Sequence, residues 1–201
     1  MKNAICLSLA VSLTSLLPAA FPAHAQSGHN LLSASQKASL KSLGIKVAIP
    51  KYVPQGFRVA AIRTEPCRAG DQRDANGVCR FGPDYTVLYR NSQNHCFVVR
   101  ATGGGIGGPS GQYTRAVDTN LLGKVDVNVG IGMGEPITEA IANTPQANLW
   151  TFPAGNSPFY AVATRQGRGD QIDSTATCST RAHMTPNKFI KIVQSLEWLP
   201  Q

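Results

Sequence analysis

Cys67, Cys79, Cys96 and Cys178 are the residues whose chemistry is easiest to place, because an even set of thiols in an oxidising compartment pairs into disulfides. With the fifth cysteine, Cys6, expected to leave with the N-terminal leader, these four allow three pairings. The spacing favours Cys67 with Cys79, since the segment between them is polar and carries the turn-forming pair Asn76 and Gly77, and this leaves Cys96 for Cys178. By loop-closure entropy the short loop contributes about 3 kcal/mol and the long one about 5 kcal/mol. Zinc is the competing chemistry for cysteine, but the chain has no C-x-x-C, and His29, His95 and His183 are scattered without a paired spacing. Asp74, Asn76 and Gly77 echo the middle of a calcium loop, yet Pro83 stands where its closing glutamate would be. No metal and no cofactor is therefore expected.

The stretch "RATGGGIGGPSGQ" at 100–112 places Gly103, Gly105 and Gly108 on the G-x-G-x-x-G spacing of a dinucleotide-binding turn, with Asp126 placed to serve as the ribose acid. A phosphate cradle of that kind needs a helix opening at the last glycine. Pro109 and Gly111 follow instead, with no helical apolar stripe, so a loop or a close backbone approach beside a sheet is the better reading. A serine-type hydrolase is the enzymatic alternative, with Ser110 as nucleophile, His183 as base and Asp170 or Asp173 as orienter. "GGPSGQ" misses the nucleophile-elbow pattern because its glycine comes one residue early. His95 and Cys96 cannot form a dyad on a strand, where adjacent side chains point to opposite faces. The chain is read as non-catalytic.

Binding chemistry fits the charge better. Seven arginines stand at Arg58, Arg63, Arg68, Arg73, Arg80, Arg90 and Arg100, and the formal net charge is +8. Such an excess suits an anionic polymer, lipid surface or acidic protein, and Arg58, Arg63, Arg90 and Arg100 lie on the strand-forming segments that could present them. Tyr85, Tyr89, Tyr113, Trp150 and Tyr160 could add aromatic contact, although core packing is the ordinary use of such residues. No nucleic-acid partner is expected.

The elements that must position these groups begin after a leader. Lys2, an apolar run at 4–17 and small residues at Ala23 and Ala25 form a secretory signal peptide, cut after Ala25, and the run is too short for the roughly 20 residues that span a bilayer. Cleavage predicts a periplasmic or secreted protein with no transmembrane segment in its mature chain. Residues 26–34 read as a flexible tail and 35–201 as one domain. A short helix is expected over 35–43, ended by Gly44, followed by an extended stretch set by Pro50 and Pro54 and a strand in "RVAAIR". Segments 85–90 and 95–101 form a hairpin with apolar residues on both faces, which places it centrally. "GKVDVNVG" alternates as a strand with one wet face, "LWTF" and "FYAVATR" form a second hairpin, and "STATCSTR" is a weaker strand around Cys178. Thr185 and Pro186 open a terminal helix whose stripe is Phe189, Ile192, Val193, Leu196 and Leu199. Lys188 and Lys191 near its start and Glu197 near its end oppose the helix dipole, so packing must hold it.

The sum is an α+β fold: a single largely antiparallel sheet, a short N-terminal helix, a C-terminal helix packed on one face and two disulfides. Pro50, Tyr52, Pro54, Gly56 and Phe57 in "IPKYVPQGF", together with "MTPNKFIKIVQSLEWLP", resemble a family of bacterial extracytoplasmic domains found in periplasmic lipoproteins and in the outer parts of anti-sigma-factor-like proteins. The resemblance covers 50–57 and 185–196 and implies an interaction domain outside the cytoplasm, with no family chemistry to carry over. The four cysteines depart from the family pattern and suggest a secreted branch.

Overall fold

The computed structural model describes residues 26–104, 114–129, 138–164 and 178–200. In chain order these are α1 (Gly28–Leu31), α2 (Ala34–Lys41), β1 (Ala48–Pro50), β2 (Arg58–Glu65), β3 (Asp84–Arg90), β4 (Cys96–Thr102), β5 (Thr114–Thr119), β6 (Gly123–Asn128), α3 (Glu139–Asn143), β7 (Trp150–Thr151), β8 (Phe159–Ala163), α4 (Pro186–Gln194) and β9 (Leu196–Trp198). A seven-stranded antiparallel sheet runs β2-β3-β4-β8-β7-β6-β5, and β1 pairs with β9 in a separate ribbon. The α+β architecture and both disulfides, Cys67–Cys79 and Cys96–Cys178, are as the sequence indicates. No helix among the described residues is long and apolar enough to cross a membrane.

The hairpin of β3 and β4 lies inside the sheet because alternate residues are apolar on both sides. One face presents Tyr85, Val87, Tyr89, Phe97 and Val99 to the main core, where α4 contributes Phe189, Ile192 and Val193. The other face carries a smaller cluster of Leu88, Cys96 and Val98, with Cys178 packed against it. Thus the longer disulfide covers part of the face that the helices leave open. Strand β6 buries Val125 and Val127 while Lys124 and Asp126 stay exposed, the one-sided pattern that its alternation predicts.

Local signals fix the helix ends. Ser33 caps α2 by accepting from the Gln36 amide, while Gln36 returns a bond to the Ser33 amide, and Gly44 turns the chain away at φ 74°. Thr185 caps α4, whose fourth residue, Phe189, faces the same core as its seventh and eighth, Ile192 and Val193. The structure differs from the sequence reading in four places. Where a tail was expected, Gln26 bridges Val53 through two backbone bonds and α1 follows, with Leu32 buried. The terminal helix stops at Gln194, and Leu196 and Leu199 reach the core from β9 and beyond, where the extended chain pairs with β1, as another helical turn could not. Glu197 consequently sits in a strand and exerts nothing on the helix dipole. Residues 178–180 form no strand, since the Cys96–Cys178 bond and a bond from the Ser179 amide to the Asn94 carbonyl hold them irregularly.

Candidate functional site

Ser110, Asp170, Asp173 and Tyr113 lie outside the described residues, as do Gly105 and Gly108 and the leader at 1–25. His183 is described, and both its ring nitrogens face carbonyl oxygens: Nδ1 lies 3.0 Å from Arg181 O and Nε2 2.9 Å from Cys96 O. Two acceptors leave no lone pair directed at a hydroxyl, so this histidine is placed to hold backbone rather than to act as a general base. Gly103 opens the glycine run with its amide donating to Asp84 Oδ1 at 3.0 Å, and a Cβ there would collide with the Gly82 carbonyl. Close backbone approach accounts for this glycine. Asp74 Oδ1 accepts from the Asn76 and Val78 amides at 2.8 and 2.9 Å, so the calcium-like pattern closes a turn of the disulfide loop. Among the described residues no cluster of three or more metal-ligating side chains occurs.

The four candidate arginines fall on one face of the sheet, opposite the main core. Register sets this: Arg58 pairs with Arg90 and Arg90 with Cys96, whereas Arg63 pairs with Thr86 and Thr86 with Arg100. They form two rows four residues apart along β3, about 13 Å at the usual strand rise. In the second row Arg63 makes an ion pair with Glu65, and Arg100 is half-buried and also engaged. The first row is different. Arg58 and Arg90 stand directly opposite each other with no carboxylate of the described residues paired to either. Like charges in that position repel, and a sheet gains nothing from them.

The same end of the sheet carries a shallow cleft of about 610 Å³ lined by His95, Asn94, Gln93, Cys178, Ser179 and Arg181. His95 stacks on His183 with centroids 4.6 Å apart and planes 10° from parallel. Desolvation, then the neighbouring His183, pushes the His95 pKa below its ordinary 6.5. Together with Arg58 and Arg90, Arg181 makes this a cationic corner with no ion-paired acid among the described residues.

At the opposite end a second concavity was not legible in the sequence. The ribbon of β1 and β9 places Trp198 beside Ala48, and the Lys46 ammonium lies 5.5 Å from the indole centroid. Tyr160 meets Trp198 edge to face at 5.3 Å and donates its hydroxyl to the Lys46 carbonyl at 2.8 Å. Burial pushes the Tyr160 phenol pKa up, which keeps that hydroxyl a donor. Arg73 forms the facing wall, its Nη1 pinned to the Leu43 and Gly77 carbonyls at 2.8 and 3.3 Å. Trp198 lies just beyond the apolar stripe of α4, and Lys46 and Arg73 are single charges in unrelated loops. Only the long-range pairing of β1 with β9 brings them together.

No protein-family model matches this chain, and no curated protein or solved structure matches it.

Proposed function

We propose that this is an exported, non-catalytic binding module that takes an anionic component of the cell envelope at the corner formed by Arg58 and Arg90. The observation that carries the reading is the unopposed arginine pair in cross-strand register, a placement that costs stability unless an anion occupies it. Arg181 on the adjoining cleft adds a third cation. The leader at 1–25 and the two disulfides support a periplasmic or secreted site of action, and the resemblance to extracytoplasmic interaction domains favours the same assignment. The hydrolase alternative gains no support from His183, whose nitrogens are taken by carbonyls.

The test is cosedimentation of the mature protein with phosphatidylglycerol vesicles and with an anionic envelope polymer across a salt series. Binding is expected to fall steeply with salt, because exposed charges are screened beyond about 8 Å at physiological ionic strength. The double variant Arg58→Gln, Arg90→Gln should bind at least tenfold more weakly while unfolding at or above the wild-type temperature. Salt-independent binding, or full binding by the double variant, would overturn the assignment.

A further inference from the structure

We infer that the groove between Trp198 and Arg73 is a saccharide subsite for a sugar chain bearing carboxylates, separate from the arginine corner. The two sites lie at opposite ends of the sheet: the corner adjoins the β3–β4 turn, whereas the groove adjoins the loop at 155–158 and the β5–β6 turn at 120–122. The concavity is about 780 Å³ and continues past Lys46 and Trp198 into a second hollow of about 690 Å³ that reaches Lys41. Its length along the surface suits a chain better than a compact molecule.

Three features of the groove match the chemistry of a uronic acid. A pyranose ring has an apolar C–H face that packs on an aromatic, and Trp198 supplies the indole, held in place by Tyr160 and by the β1–β9 pairing. A carboxylate needs a cation of fixed direction. Arg73 provides one, because Nη1 is anchored by two carbonyls and the Nε and Nη2 donors remain for a ligand. Lys46 adds a second charge beside the indole. Sugar hydroxyls need amide partners, and Asn76 and Asn156 stand on the same wall, tied together by a bond of 3.5 Å from Asn76 Nδ2 to the Asn156 carbonyl. Asp74 is the carboxylate among the lining residues, its Oδ1 accepting from two backbone amides, and against Lys46 and Arg73 it leaves the wall net positive. A buried lipid chain would meet charged and amide groups here, and fits less well.

The experiment uses the full mature chain carrying Trp150→Phe, so that emission reports Trp198 alone. Titration with a short oligogalacturonate should shift that emission saturably, and a neutral maltooligosaccharide of equal length should not. Lys46→Gln and Arg73→Gln should each weaken the binding by about tenfold or more, as expected for loss of a charge-assisted contact. Lys46→Gln leaves the Arg73 anchor untouched, so its effect separates ligand contact from loosening of the loop. Arg58→Gln with Arg90→Gln should leave the titration unchanged. The inference is overturned if emission does not respond, if the neutral sugar binds as well, or if only the arginine-corner variant weakens binding. Because the corner is read by cosedimentation and the groove by Trp198 emission, either site can fail without the other.

Discussion

At the scale of single residues, the stacked imidazoles make the clearest case. His183 spans the Arg181 and Cys96 carbonyls with its two ring nitrogens, and His95 stacks on it. A positive charge on His95, 4.6 Å away, is resisted by burial and then by its neighbour His183. The folded-state pKa of His95 lies below 6.5, so the unfolded chain binds the proton more readily and folding stability falls as pH drops below 6.5. Urea midpoints measured from pH 7.5 to 5 should decline in the wild type, and His95→Gln should flatten part of that slope; an unchanged slope would remove His95 from the account. Tyr89 offers a test of opposite sign. Its hydroxyl is fully buried beneath Gly28 without a hydrogen-bond partner, whereas Tyr85 exchanges bonds with both backbone groups of Ala48. Tyr89→Phe should therefore be neutral or stabilising by about 1 kcal/mol in chemical denaturation, while Tyr85→Phe should destabilise by about 1 to 3 kcal/mol because Ala48 loses its partner.

Among the elements, α4 and β9 separate what sequence periodicity can and cannot tell. Leu196 is buried as the apolar stripe requires, but it is delivered by a strand. Leu196→Ala should cost about 2 to 5 kcal/mol, and exposed Lys191→Ala little, when both are unfolded in urea. Equal midpoints would mean that the stripe is not the buried face. The strands β2, β3, β4, β6 and β8 were legible because each is long enough to show alternation or a β-branched run, and Ser33, Gly44, Thr185 and Pro186 marked helix ends through local bonding. Among the shortest elements, α1, α3, β1 and β9 were not, since they hold too few residues for a period to register. Of the candidate sites, the sequence put Arg58 and Arg90 on strand-forming segments, but their shared face and direct opposition depend on the register and on the bulge between Val59 and Ala61 that shifts it. The groove at Trp198 depends on partners 150 residues apart and leaves no local trace.

For the whole molecule, the two disulfides act at different ranges. Cys67–Cys79 closes a loop over 12 positions, while Cys96–Cys178 closes one over 82 and fastens the 178–183 segment across the second face. Denatured but unreduced protein prepared without residues 1–25 should show no reactive thiol, and replacing both Cys96 and Cys178 by alanine should cost more than the same change at Cys67 and Cys79, about 4 to 5 against about 3 kcal/mol by loop entropy. A reversed order would show that the short bridge does more than restrict the unfolded chain. The pairing of β1 with β9 also sets a timetable. Ala48 and Ile49 find their strand partners only in Trp198 and Glu197, and the core around Leu40, Leu43 and Val47 shares that closing seam through the Leu199 amide bonded to the Val47 carbonyl. A polypeptide emerging head first must hold its opening quarter unsealed until its tail arrives. On the proposed export route, a chain threaded through a narrow channel gains from such lateness: it stays pliable in transit and locks only when its far end is through.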